Sequence, residues 1–264
     1  MRLGTSVPAR QPLVDADAVG AELVQIHLSA PRNWKDPVGR GDASELAASG
    51  RVAAVHSPYL VNPASATATV RDRSWHCLQA ELDACVTVSA DGLVVHAGQA
   101  GVEGTIDQAI ERWLQGIGGL TGDVPLLIEN TATGTAAPGR HLEDWIRLVE
   151  ALRQEAVVPI GVCLDTCHAF AGDPAAGTDP AGWVTEVRER LGGIDVLHVN
   201  DSKVPAGGGQ DRHASLGDGE MGDALPAMVT ASGAPAALLE TPGDDDRRRA
   251  DLEWLAKVAD VRVG

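Results

Sequence analysis

Six side chains able to bind a metal recur along the chain at nearly even intervals. They are His56, His96, Glu129, Asp165, His198 and Glu240, separated by 40, 33, 36, 33 and 42 residues. Two local pairs add to them: Asp165 with His168, and Asp211 with His213. The full set is five imidazoles and four carboxylates. A single catalytic zinc takes about three protein ligands and a water, so nine ligands would oversupply it. Nine suit three metals that share one carboxylate and keep an open position. Metals clustered at roughly 4 Å are the usual apparatus for displacement at phosphorus. They neutralise phosphate oxygens, lower the pKa of a bridging water and stabilise the leaving oxygen. A mixed imidazole and carboxylate set favours Zn or Mn over Mg or Ca. A lone histidine at a strand end is usually only a partly exposed polar residue. Here five of the eight histidines fall in this set, three on the repeat and two in the local pairs, while His27, His76 and His141 do not fit it and are read as structural.

An interval of this length holds one strand and one helix, and the chain alternates short apolar runs with amphipathic ones throughout. The expected strands are Arg2–Ser6, Glu22–Leu28, Arg51–His56, Gly92–His96, Pro125–Glu129, Ile160–Asp165, Ile194–Asn200 and Ala236–Glu240. Most are rich in Val, Ile and Leu with little alternation, as parallel strands covered on both faces require. Ile106, Ala109, Ile110, Trp113, Leu114 and Ile117 fit one helical face; Leu142, Trp145, Ile146, Val149 and Leu152 fit another. Trp183, Val184, Val187 and Leu191 follow Thr178-Asp179-Pro180, a capping residue and a first-turn proline, and Leu252, Leu255 and Val258 form the last stripe. Eight βα units over 264 residues predict a single (β/α)8 TIM barrel spanning residues 1–264. The alternative, an open doubly wound sheet, lacks a GxGxxG after an early strand. Active sites of such barrels lie at the C-terminal rim of the strands, where the six spaced side chains fall. The long segment Asp201–Asp218 contains Gly207-Gly208-Gly209 and reads as a functional loop.

Hydrophobic residues make up 44% and charged residues 22%, ordinary values for a globular enzyme that buries its core without staples. Cys77, Cys85, Cys163 and Cys167 contain no CxxC pair and read as reduced core thiols. The N-terminus lacks the apolar region of a signal peptide, and no stretch approaches the roughly 18 apolar residues of a membrane span. A cytoplasmic location without membrane contact is therefore expected. The alanine-rich helices show no dimer seam, which makes a monomer the expectation. The net charge of −16 argues at first sight against a nucleic-acid partner, since phosphate contacts need cations.

Longer blocks point the other way. LLIENTATG (126–134), GVCLDTCHAFAGD (161–173), HVNDSK (198–203), DRHASLGDGEMG (211–222) and LLETP (238–242) resemble the signature blocks of the endonuclease IV family of abasic-site endonucleases. HSPYLVN (56–62) and VVHAGQ (94–99) fit its earlier blocks, and the resemblance runs in order from His56 to Pro242. It implies a zinc-dependent DNA-repair enzyme that hydrolyses the phosphodiester 5′ to an abasic site, leaving a 3′-hydroxyl and a 5′-deoxyribose phosphate. It also implies trimming of blocked 3′ ends and a nucleoid-associated protein. The partner would be double-stranded DNA carrying abasic sites or blocked 3′ ends. Three Zn2+ per chain are implied, with Mn2+ the alternative at one site. By this resemblance His56, His96 and Glu129 would hold one zinc. Glu129 would bridge to a second, completed by Asp165, His198 and Glu240. His168, Asp211 and His213 would hold the third. Glu129 and Glu240 would be the catalytic carboxylates, Glu240 orienting or deprotonating a metal-bridging hydroxide.

The same resemblance implies that Tyr59 and Leu60 form a wedge in the DNA minor groove and that Arg32, in PRNW (31–34), is an intercalating arginine. A wedge offsets the stacking lost when a nucleotide is flipped out. Lys203 and Arg212 are expected phosphate contacts. One departure is the start RLGTSVP (2–8), where the family usually has a Gly-x-His-x-Ser pattern. The acidity is reconcilable: four acids would be metal ligands, and divalent ions make the mouth locally positive. Three rival readings are a metal-dependent sugar isomerase or epimerase on a related barrel, a non-catalytic binder of damaged DNA, and a phosphatase for small substrates. The isomerase would need fewer ligands than this chain carries, the binder would have lost some, and the phosphatase would need no wedge.

Overall fold

The computed structural model describes residues 1–261. Its elements in chain order are β1 (Arg2–Ser6), α1 (Pro12–Val19), β2 (Leu23–Ile26), α2 (Ala43–Ser49), β3 (Val52–His56), α3 (Ala68–Val88), β4 (Leu93–His96), α4 (Ile106–Ile117), β5 (Leu126–Glu129), α5 (Leu142–Glu155), β6 (Ile160–Asp165), α6 (Thr166–Gly172), α7 (Pro174–Thr178), α8 (Pro180–Leu191), β7 (Val196–Val199), β8 (Asp201–Ser202), β9 (His213–Ala214), α9 (Ala224–Ser232), β10 (Ala236–Leu239) and α10 (Asp245–Val258). Eight of the strands close into a parallel barrel in the order β1-β10-β7-β6-β5-β4-β3-β2. The fold is the expected TIM barrel. No helix among the described residues is long and apolar enough to cross a membrane.

The core forms two layers because each strand is buried on both faces. Leu23, Ala53, Val94, Leu127, Cys163, Val196 and Leu238 fill the barrel interior. Val24, Ile26, Val55, Val95, Ile128 and Val199 face outward onto the helices. Those helices turn inward the stripes expected of them, with Trp113, Trp145, Ile146, Val149 and Leu152 fully buried. Leu127 closes the interior only because its neighbours lack side chains. A Cβ on Gly92 would lie 2.6 Å from one Leu127 methyl, and one on Gly161 would lie 2.5 Å from the other. Local signals set the helix ends: Thr105 and Gln108 make a reciprocal capping box on α4, and Asp179 caps α8 ahead of Pro180.

The structure differs from the sequence reading in two places. Several strands are shorter than expected, so Glu240 and Asn200 lie just past strand ends, on the rim. The segment expected as a loop after β7 also contains a small antiparallel ribbon, with Asp201 opposite Ala214 and Ser202 opposite His213. Its cause is the buried Asp201 carboxylate, which accepts from the backbone N–H of Ser202, Gly217, Gly219 and Met221 at 2.7, 3.1, 3.0 and 3.2 Å. One side chain thereby gathers both ends of a 20-residue excursion. Asp251 on α10 holds the same region by accepting from Leu216 N at 3.2 Å.

The segment after β2 is anchored to α3 through a hydrogen bond from Ser29 to Glu81. Glu81 is fully buried, and burial pushes its carboxyl from an ordinary 4.5 up to about 7. A carboxyl whose pKa is raised by folding contributes stability that is full below the unfolded value and lost as pH rises through the folded one. The window is therefore about pH 4.5 to 7. Glu81→Gln keeps the shape and stays neutral. We expect the variant to match the wild type near pH 4.5 and to exceed its unfolding free energy by on the order of 3 kcal/mol at pH 8. Denaturant unfolding at both pH values checks this; a difference independent of pH would contradict it.

Candidate metal centre

Strand register assembles the site. In the barrel His96 pairs with Glu129, and Asp165 pairs with His198. In parallel strands, side chains in register point to the same side, so each pair enters the mouth at one height. His56 ends β3, and Glu240 follows β10 directly. The ribbon brings His213 and, just before it, Asp211 over the same opening. His168 arrives on α6, whose first turn is capped by the Asp165 carboxylate accepting from His168 N at 2.7 Å.

All nine expected donors converge, in three groups whose ligand atoms lie within 4.8 Å of one another: His56, His96 and Glu129; Glu129, Asp165, His198 and Glu240; and His168, Asp211 and His213. Glu129 belongs to two of them. Its Oε2 lies 3.1 Å from His56 Nε2 and 3.2 Å from His96 Nε2, while its Oε1 lies 3.1 Å from His198 Nδ1. Asp211 lies 3.3 Å from His168 Nε2 and 3.1 Å from His213 Nε2. The groups differ in depth. Glu129, Asp165 and His198 are fully buried, whereas the Asp211 side chain is 43% exposed. Two cysteines also come near, Cys163 to Glu129 and His198, and Cys167 to Asp165 and His213. Burial pushes both thiols up to about 12, so they stay neutral, as core thiols do. All four cysteines are buried and free.

The donors fit a metal because their second nitrogens are already used. His56 Nδ1 lies 2.8 Å from the Ser57 carbonyl, His168 Nδ1 lies 3.0 Å from the Asn130 carbonyl, and His198 Nε2 lies 2.8 Å from Gln25 Oε1. Each carbonyl oxygen can only accept, so each ring donates there and turns its other nitrogen toward the donor group, where it can bind a metal once that nitrogen gives up its proton. His213 Nε2 is buried with no hydrogen-bond partner, though Asp211 Oδ1 is 3.1 Å away. Once deprotonated, that unpartnered nitrogen is what a cation would satisfy. Asn200 supports the carboxylate side, donating from Nδ2 to Asp165 Oδ2 at 2.6 Å and accepting from Glu240 N at 3.0 Å.

Packing acids against imidazoles out of water moves their pKa values far from the ordinary range. Burial would raise the Glu129 carboxyl, but His96, His198 and the hydrogen bond from His168 outweigh it and hold it well below the usual range. Burial would likewise raise Glu240, but His198 and His56 lower it. Asp211 is held far down by His168 and His213 against the same burial penalty. Burial works against charge on the rings too, yet the carboxylates win: His168 and His198 are driven well above 6.5, and His213 rises to about 9.

Above the donors lies a cavity of about 350 Å3 lined by Arg32, His56, Tyr59, His96, His168, Asp211, His213 and Glu240. A second hollow of about 170 Å3 shares Tyr59, His96, His168 and Asp211 with it and extends to Asn62, Gln99 and Thr131. Tyr59 is 51% exposed and Leu60 37%, so both protrude from the rim. The Tyr59 ring stacks on His96 at 6.1 Å, and its backbone N–H donates to the Pro31 carbonyl at 2.9 Å, tying its loop to that of Arg32. Arg32, Lys203 and Arg212 are exposed, and Lys203 N donates to the Arg212 carbonyl at 2.8 Å on the ribbon. His76 and His141 lie away from the donors, 3.1 Å from Asp36 and 3.8 Å from Asp173. His27 joins no donor group, but its ring lies 5.3 Å from that of His56 and 5.5 Å from that of Tyr59. Burial and the neighbouring His56 lower it to about 4, which leaves it neutral.

A family described as a xylose isomerase-like TIM barrel matches residues 13–258. A protein named probable endonuclease 4 from Mycobacterium marinum is 40% identical over 256 residues, which is 97% of this chain and 98% of that protein. Its namesake from Mycobacterium leprae is 39% identical over the same shares. The crystal structure of endonuclease IV from Thermus thermophilus superposes with a TM-score of 0.81 at 26% identity, covering 98% of this chain and 99% of that one.

Proposed function

The chain belongs to the endonuclease IV family, and from that premise we propose that it is a single-domain, zinc-dependent DNA-repair nuclease. In this reading it hydrolyses the phosphodiester 5′ to abasic sites and trims blocked 3′ ends. The observation that carries the reading is the sharing of Glu129 between two donor groups with a third beside them. His56, His96 and Glu129 would hold one zinc. Glu129, Asp165, His198 and Glu240 would hold a second, and His168, Asp211 and His213 a third. When bound, the zinc ions supply positive charge to the phosphate oxygens and acidify water.

The chain's own residues then have definite tasks. Glu240 lines the cavity as an ionised carboxylate, able to orient a water and accept its proton during attack on phosphorus. As that water's oxygen bonds to phosphorus, the P–O3′ bond breaks, and the departing oxygen becomes the 3′-hydroxyl. Glu129 keeps the two inner groups in fixed relation. Tyr59 and Leu60 stand where a wedge can enter the minor groove and replace stacking lost around an abasic site. Arg32, Lys203 and Arg212 supply cations at a rim on an otherwise acidic protein.

The test is a labelled duplex carrying one tetrahydrofuran abasic analogue, beside an undamaged duplex. This analogue cannot undergo β-elimination, so a cut on its 5′ side leaving a 3′-hydroxyl requires hydrolysis. We expect that product from the zinc-loaded protein and none from the control duplex. Zinc-loaded protein that leaves the analogue intact would move the substrate toward a sugar or a small phosphoester.

A further inference from the structure

Strand β2 reads Leu23-Val24-Gln25-Ile26, and its alternation sends Leu23 and Gln25 into the barrel while Val24 and Ile26 face the helices. Gln25 is fully buried directly beneath the donor groups. A buried amide is costly unless both its ends are hydrogen-bonded. Here both ends meet proposed metal donors: Nε2 donates to Glu240 Oε1 at 2.6 Å, and Oε1 lies 2.8 Å from His198 Nε2.

The direction of each bond follows from Glu240. An ionised carboxylate offers only lone pairs, so Gln25 must turn its NH2 toward it. The amide oxygen is then left facing His198. Oxygen can only accept, so His198 must carry its proton on Nε2. The lone pair of the neutral ring lies on Nδ1, which points at Glu129 Oε1, 3.1 Å away, and Glu240 Oε2, 3.5 Å away. His56 and His168 are set the opposite way round, with Nδ1 on a backbone carbonyl and Nε2 turned inward. His198 therefore differs in being set by a side chain, and the same side chain holds Glu240.

We propose that Gln25 is a positioning residue of the deepest donor group, fixing the tautomer of His198 and the orientation of Glu240 through one amide. The inference rests on the zinc-nuclease reading above. Two variants separate its two contacts. Gln25→Met keeps the length and loses both. Gln25→Glu keeps an acceptor for His198 and loses the donor to Glu240.

Zinc affinity is read by competition with a chromophoric chelator, and kcat and KM are read on the abasic duplex. For Gln25→Met we expect one of the bound zinc ions, that of the deepest group, to be held 10- to 100-fold less tightly than in the wild type and kcat to fall by a similar factor. KM should stay within about threefold, because the DNA-facing rim is untouched. For Gln25→Glu we expect zinc affinity within about fivefold of wild type but kcat as low as in Gln25→Met. If Gln25→Met does not fold, the split between affinity and kcat in Gln25→Glu decides alone. Wild-type zinc affinity and kcat in Gln25→Met would overturn the proposal, as would equal loss of zinc in both variants. If the wild type holds zinc but cuts no abasic duplex, the nuclease reading falls. The chelator competition still tests Gln25 in that case.

Discussion

Glu240→Gln is expected to lower kcat on an abasic-site duplex by about a thousandfold or more, with the fold retained. The substitution preserves volume and changes only what the two terminal atoms can do. In the wild type Oε1 accepts from Gln25 at 2.6 Å, and Oε2 lies 3.5 Å from His198 Nδ1, in the deepest donor group. An amide has one oxygen. If it serves Gln25, an NH2 is aimed into the donor group; if it serves the donor group, two NH2 groups confront each other. Neither arrangement leaves an ionised carboxylate to accept a proton from the attacking water. Single-turnover cleavage of the tetrahydrofuran duplex measures the loss. Cleavage at the wild-type rate would remove Glu240 from the reaction.

Glu129→Ala gives a useful contrast. It should abolish cleavage too, by a different route, since the lost carboxylate serves two groups at once. Metal content distinguishes the variants: Glu240→Gln should keep most of its zinc, and Glu129→Ala should lose more than one ion per chain. This pair also bears on the isomerase alternative. A sugar isomerase needs one or two metals, and the third group, His168 with Asp211 and His213, would then have no task. Its members come from α6 and the ribbon, which Asp165 and Asp201 hold in place by capping and loop-gathering contacts. Such construction is hard to explain as ornament on a two-metal site.

The donors are legible in the sequence because barrel geometry converts a repeat of one βα unit into convergence. His56, His96, Glu129, Asp165 and Glu240 need only their places at strand ends, and register does the rest. The closed sheet is legible for the same reason, since eight apolar runs leave few other ways to cover both faces. Gln25 is not legible. Within an apolar strand its amide carries no local signal, and its meaning lies in contacts with residues 173 and 215 positions away. Asn130 and Asn200 stand inside the family-like blocks, but their work is equally through-space: Asn130 accepts from Asp165 N at 2.7 Å, and Asn200 donates to the carboxylate of the same residue. The ribbon is silent in the sequence because two-residue strands show no periodicity. Asp201 alone hints at it, as an acid placed directly after a strand.

Removing zinc should abolish cleavage and lower Tm, by an amount that grows with pH. Free zinc a thousandfold above Kd stabilises a chain by about 4 kcal/mol per site. At about 2–4 °C per kcal/mol for chains of this size, one site alone corresponds to roughly 8–16 °C. The pH dependence follows from the imidazoles. Without metal, His213 titrates at about 9, while His168 and His198 are driven well above 6.5, against the burial penalty, by the carboxylates around them. A ring with a raised folded pKa stabilises the metal-free fold fully below about 6.5, and that contribution is lost as pH rises toward about 9. Zinc binding runs the other way, because each ligand ring must first give up its proton. At pH 7 loading should release protons from these rings and from His56, which Glu129 and Glu240 raise as well against the burial penalty. Calorimetry in buffers of different ionisation enthalpy would count them. Between pH 6.5 and 9 the stripped protein therefore loses stability while the loaded one gains affinity, and the Tm gap between them widens. A gap that narrowed over this range, or loading without proton release, would mean that these histidines do not face the metal.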